Sequence, residues 1–233
     1  MCLVSDWYTS LAEYTFPTIF IRLRTAEIEA LVTGERNGDT AKSVIKRMQR
    51  AIKVIPGSSF LHADYCAPTD SPVFQRAKGA IGSGRKGWEI LCESDKVRQA
   101  FADGRTQRIC LHPYRRMDPV REFRVFVKGR EIAAMSQLRL DRHQPKLEGR
   151  KGHIWRKAKT LIDDIADYLP RDDIAVDIYL TSAGAYMIID MNPWGEPTDP
   201  LLFRTWERDW DQKTGLLLVP KPTKLGGEVE VSP

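Results

Sequence analysis

The sequence has few of the features that mark a secreted, metal-stapled or membrane protein. Its four cysteines, Cys2, Cys66, Cys92 and Cys110, are scattered and form no Cys-x-x-Cys pair. That argues against a zinc site, and free thiols are the simple reading. No apolar run approaches the roughly 20 residues that cross a bilayer. The first residues carry Asp6 and lack a basic-then-apolar leader. A cytoplasmic protein without a membrane partner is therefore expected. There is no internal repeat, no low-complexity tract, and no Ser-His-Asp or Cys-His spacing that would support a nucleophile. Charge of one sign is also scarce: 36 Lys and Arg oppose 31 Asp and Glu, a formal +5. That suits an anionic ligand or partner and does not require nucleic acid.

What is present is a chain able to bury a core. Its 233 residues are 42% apolar, enough for one large domain or two small lobes sharing a cleft. The pattern predicts a strand over 19–23, a helix capped by Thr25 and running through Leu31 to a stop at Gly34, and a basic amphipathic helix over 40–52. Residues 59–66 read as a strand before a Pro68-Thr69-Asp70 turn. The stretch 78–87 is glycine-rich, basic and flexible by composition. Ser94 is placed to cap a helix to Phe101. Residues 122–128 and 131–138 flank Gly129 as a hairpin, and 174–180 and 185–192 form a second one, with helical periodicity over 151–169 between them. Helices and antiparallel strands in this order predict an α+β layered fold. The stretch after Gln212 reads as a tail or a lid.

The strongest chemical signal is the second hairpin. Asp190 and Asn192 alternate and share a face, and a turn near Ala183 sets Asp177 opposite Ile189 or Asp190. Three oxygen ligands then converge at one end of the hairpin, a set that suits Mg²⁺ beside phosphate. Solvent-facing residues at a strand end are the plainer reading, but the flanking Met187, Ile188, Ile189 and Met191 argue for a buried strand whose carboxylates need a cation or several donors. Trp194, Trp206 and Trp210 are candidates for core packing or a partner surface. The basic stretch 139–159 reads as solvated surface.

The run Asp190-Met191-Asn192-Pro193-Trp194-Gly195-Glu196-Pro197-Thr198-Asp199-Pro200-Leu201-Leu202-Phe203 resembles the C-terminal signature of the cell division cycle protein 123 family. Asp177-Ile178-Tyr179, Glu122-Phe123-Arg124, Ser136-Gln137, Ala67-Pro68-Thr69-Asp70, and Trp7 with Thr15-Phe16-Pro17-Thr18 match further family segments in order. The resemblance implies an ATP-grasp-like fold, two lobes with antiparallel sheets and a nucleotide cleft between them. It divides the chain into an N-terminal lobe over 1–105, a C-terminal lobe over 106–211 and a tail over 212–233. It also implies Mg²⁺ on Asp177, Asp190 and Asn192, Arg124 facing phosphate, and Tyr65, Ala67 and Asp70 near ATP.

Two positions depart from the family pattern. His62 stands where the family has a nucleotide-contacting Lys, and His112 lies in Leu111-His112-Pro113-Tyr114, where the family has Leu-Arg-x-Trp. A neutral imidazole holds phosphate less well than either cation, so a substitute is expected. Residues 73–78 and the glycine-rich stretch after them resemble the strand and phosphate loop of ATP-grasp ligases, which implies phosphate contact by Arg85 or Lys86. The family acts in eukaryotes as an assembly factor for translation initiation factor 2, binding its gamma subunit. A nucleotide-dependent assembly or binding factor is thus the first expectation; a compact bacterial or viral member would have another partner. An ATP-grasp ligase that joins a carboxylate to an amine is the alternative. A scaffold that has lost its nucleotide is the third reading, motivated by the two histidines.

Overall fold

The computed structural model describes residues 2–222. Helices are α1 (Val4–Leu11), α2 (Thr25–Val32), α3 (Asp39–Val54), α4 (Pro72–Ala77), α5 (Gly84–Glu93), α6 (Asp95–Ala102), α7 (Pro145–Glu148) and α8 (Lys151–Ile165). Strands are β1 (Ile19–Arg22), β2 (Ser59–Ala63), β3 (Ala80–Ile81), β4 (Arg108–Pro113), β5 (Glu122–Lys128), β6 (Glu131–Gln137), β7 (Ile174–Leu180), β8 (Tyr186–Pro193) and β9 (Gly215–Leu217). They form an antiparallel four-stranded sheet, β1-β4-β2-β3, and a five-stranded sheet, β8-β7-β5-β6-β9, antiparallel except for β6 with β9. The expected α+β fold, two antiparallel-sheet lobes with a cleft between them, is met.

In the first lobe the strand period of two sorts the side chains. Ile21, Leu61, Ile109 and Leu111 point to one face, where α2, α3, α5 and α6 supply Leu31, Met48, Trp88 and Phe101 to a single core. Phe20, Phe60, His62, Cys110 and His112 fall on the opposite face. The α3 helix runs two residues past its expected end because Ala41, Val44, Met48, Ala51 and Ile52 keep one apolar stripe buried. In α2, Thr25 is the first helical residue rather than the cap; Glu27 accepts the Arg24 amide proton at 2.8 Å instead.

The second lobe stacks α8 against its sheet through Ile154, Ala158, Leu161, Ile162 and Ile165. The β5–β6 turn sets Gly129 and Arg130 at φ 56° and 64°, the left-handed pair that matches the twist of a hairpin. Trp7 and Leu11 of α1 belong to this second core, while β4 is bonded into the first sheet. The chain therefore passes between the lobes twice, and residues 106–113 sit with the N-terminal lobe.

Three local expectations are corrected. Of residues 73–78, expected as a strand, 73–77 lie in α4 and Lys78 caps it, because Ser71 accepts the Phe74 amide proton and Pro72 opens the helix. The stretch 78–87 is not a flexible loop: β3 is followed by α5, capped by Ser83. Gly84 and Gly87 serve close packing: a Cβ at Gly84 would lie 2.4 Å from the Ile45 carbonyl oxygen of α3, and one at Gly87 would lie 2.6 Å from the Met48 side chain. The stretch after 212 begins with a strand, as β9 pairs in parallel with β6 through Ala134, Met135 and Ser136.

Candidate functional site

A cleft of about 510 Å³ separates the lobes, within the range of about 300–1,000 Å³ usual for small-ligand sites. One wall is the outer face of the first sheet. The other is β8, the edge strand of the second sheet, which presents Ile189 and Asp190.

The β8 wall is built by register. Asp190 pairs with Asp177, and Asp177 with Arg124 on its other side. Ile189 is the extra residue of a bulge, between the pairs Asp177–Asp190 and Ile178–Ile188. Bulges re-aim side chains, and this one sets Asp190 level with Asp177 at the cleft. Arg124 and Asp177 are only 8% and 7% exposed and form a bidentate pair, with Nε to Oδ1 at 2.7 Å and Nη2 to Oδ2 at 2.8 Å. Asn192 donates to Asp177 Oδ2 at 3.1 Å, and Arg124 Nη1 donates to the Asp199 carbonyl at 2.9 Å. Burial opposes charge on both partners. For Arg124 the hydrogen bonds and field of Asp177 outweigh burial and hold it above its ordinary value. For Asp177 burial is the largest influence and leaves its carboxyl raised, opposed by the bonds from Arg124 and Asn192. Glu122 is raised by burial and by Asp177.

Asp190 differs. Its Oδ1 accepts the Met191 amide proton at 2.9 Å, and no cation pairs with it among the described residues. Enclosure in the cleft, then the charge of Asp177, pushes its carboxyl up to about 7. Its side chain is nevertheless exposed to cleft solvent, which screens part of that shift. Among the described residues no three His, Cys, Asp or Glu side chains form a metal cage. Asp190 and the Asn192 amide oxygen fit a cation that takes few protein ligands and completes its shell with water and phosphate, as Mg²⁺ does. Asp177, with both oxygens engaged by Arg124 and Asn192, fits less well as a direct ligand.

The opposite wall is aromatic. His112 stacks between Phe16 and Phe60, with ring centroids 4.8 and 5.0 Å away, and His62 meets it edge-on at 5.6 Å. His62 Nδ1 lies 2.8 Å from the Ala63 carbonyl, and His112 Nδ1 lies 3.1 Å from the Pro113 carbonyl. A carbonyl only accepts, so the proton is assigned to Nδ1 in each ring. Burial lowers both pKa values to about 4, and His62 adds to the effect on His112. Both are neutral near pH 7.

Of the residues expected at a nucleotide, His62, Tyr65, Ala67, His112 and Asp190 line the cleft. Arg124, Asp177 and Asn192 stand beside Asp190 in the sheet. Asp70, Arg85 and Lys86 are not among the cleft residues. Asp70 accepts from Ser94 Oγ at 2.5 Å and from the Lys96 amide at 3.0 Å, over the first turn of α6. Arg85 and Lys86 open α5, where Arg85 borders a separate groove with α3. Among the described residues, the cations at the cleft are Lys78, Arg115 and Arg116. Lys78 was missed as a site residue; its one signal in the sequence is its place at the start of the basic, glycine-rich stretch, and in the structure it caps α4, held left-handed at φ 50°. The two arginines directly follow the Leu-His-Pro-Tyr run.

The D123 family model matches residues 89–214, which contain β4 to β8 and the Asp190–Asp177–Arg124 row. The chain is 34% identical over 100 residues to a translation initiation factor eIF2 assembly protein of Danio rerio, covering 42% of this chain and 28% of that one. It is 36% identical over 90 residues to the Xenopus laevis protein of the same name, covering 38% and 26%. The chain thus matches under a third of the length of these relatives. The structure of C-terminally truncated Cdc123 from Schizosaccharomyces pombe superposes with a TM-score of 0.79 at 22% identity, over 94% of this chain and 96% of that one, so the fold is shared along nearly the whole chain. With more than half of its residues matched to the family model, this chain belongs to the D123 family.

Proposed function

We propose that the cleft binds Mg–ATP and that the protein is a nucleotide-dependent assembly or binding factor. The observation that carries this reading is the Asp190–Asp177–Arg124 row set across the cleft from a neutral aromatic wall. Asp190 and Asn192 hold Mg²⁺, with Arg124 fixing Asp177 and so the row. The bound ion neutralises charge on the phosphates and ties them to β8. Lys78, Arg115 and Arg116 take the phosphate contacts that His62 and His112 cannot make. The stacked Phe16, His112 and Phe60 rings offer an apolar surface to the base. The names of the relatives support a role in assembling a protein partner; in a eukaryotic source that partner is the gamma subunit of initiation factor 2.

Calorimetric titration of ATP with and without Mg²⁺, on wild type and Asp190→Ala, tests this. Mg-dependent binding lost in the folded variant is expected. No binding by folded wild type removes the nucleotide and favours a scaffold. ADP release that requires an added acid and amine would move the reading to the ligase.

A further inference from the structure

The first lobe carries a second feature, on the side of its sheet away from the cleft. Between residues 19 and 113 there are sixteen Lys and Arg against ten Asp and Glu, so this lobe holds the whole positive excess of the chain. Much of it is gathered on the outer face of α3. Lys42, Lys46 and Lys53 follow one stripe of the helix over about 16 Å, at roughly 1.5 Å per residue, with Arg50 beside them. Arg85 at the start of α5 faces this stripe across a groove of about 440 Å³. Ile45 and Gln49, both half-buried, lie between the exposed cations.

The cations are largely free. Lys42 pairs with Asp39 at 2.9 Å in an exposed contact, which contributes little. Arg85 reaches only the Asn37 amide oxygen, at 3.4 Å. Lys46, Arg50 and Lys53 form no salt bridge with a described residue, whereas Arg47, on the inward side of the same helix, is paired with the buried Glu27. The stripe thus contributes nothing evident to the fold, and its like charges repel one another.

We propose that this groove docks an acidic segment of a partner protein, carboxylates on the lysine stripe and an apolar side chain on Ile45. Charge complementarity selects the class. The cations are strung along the helix instead of converging on one point, which suits an extended polyanion over a single phosphate group. Among the described residues no aromatic side chain lines the groove, so they offer no stacking platform of the kind by which single-stranded nucleic acids are held. A phosphodiester backbone would also leave Ile45 without a partner. The groove and the cleft lie on opposite sides of the first sheet, so both can be occupied at once.

The test uses fluorescence anisotropy of a labelled Glu/Leu peptide with the whole protein. Wild type is expected to bind, with affinity falling as salt rises from about 50 to about 300 mM. The variant Lys46→Glu/Arg50→Glu/Lys53→Glu is expected to lose at least about tenfold. A control with the same charge change on the second lobe, Arg142→Glu/Lys146→Glu/Lys151→Glu, is expected to keep groove binding within about threefold. All replaced residues are exposed, and an unchanged melting temperature checks the fold. Equal loss in the control would reduce the effect to net charge and overturn the proposal. So would no binding by wild type, or labelled RNA that binds tighter than the peptide and is lost in the groove variant.

Discussion

Replacing Arg124 with Met would leave the Asp177 carboxylate buried between β5 and β8 with no cation, beside Asp190 and Glu122 of the same sign. Three hydrogen bonds go with it, the two to Asp177 and the one to the Asp199 carbonyl. Breaking a buried pair from one side costs about 3–5 kcal/mol, because the remaining charge has been stripped of water. The Asn192 bond to Asp177 survives and keeps the loss toward the lower end. The double variant Arg124→Met/Asp177→Leu removes both charges at similar volume, and is expected to recover at least half of the loss. Urea unfolding of wild type, Arg124→Met, Asp177→Leu and the double variant, followed by the fluorescence of the six tryptophans, gives the coupling directly. A single variant within about 1 kcal/mol of wild type, or a double variant no better than the single, would refute the claim that this pair is desolvated and mutually dependent.

Acid should unfold the protein through its histidines. His62 and His112 stay neutral down to about pH 4 in the fold, whereas histidines of an unfolded chain protonate near 6.5. The unfolded state therefore binds more protons in this window, and stability present above about pH 6.5 is lost as pH falls toward 4. After allowance for cleft water the loss at pH 5 is about 1–2 kcal/mol per histidine; His62→Phe should flatten the thermal-shift profile, and an unchanged slope contradicts it. Gly84→Ala should destabilise by about 1–3 kcal/mol, since its Cβ meets backbone of α3; chemical denaturation reads it, and a neutral result would mean the helices slide apart freely. Asp70→Ala should cost about 0.5–2 kcal/mol through the first turn of α6 with ATP titration unchanged. A large fall in ATP affinity at wild-type stability would return Asp70 to the nucleotide site.

Much of this protein was legible in one dimension. Apolar runs over 122–138 and 174–192, interrupted at Gly129 and at Ser182-Ala183-Gly184, pointed to both hairpins; β5, β6 and β7 are buried almost throughout, and Gly129 permits the left-handed turn. The stripe from Ala41 to Ile52 specified α3, and Ser94 the start of α6. The run from Asp190 to Phe203 with Asp177-Ile178-Tyr179 was enough to identify the family. Other features depend on what touches what. Val73 to Lys78 has strand-like residues, but Ser71 and Pro72 make it a helix. Gly84 and Gly87 read as flexibility until α3 is laid against them. The bulge at Ile189, which chooses Asp190 as the partner of Asp177, is a matter of register that no local pattern encodes. The cleft cations follow the same rule. Charge type and loop composition pointed to Arg85 and Lys86, but α5 carries them to the far side of its lobe, and only the packed sheet brings Lys78, Arg115 and Arg116 to face Asp190.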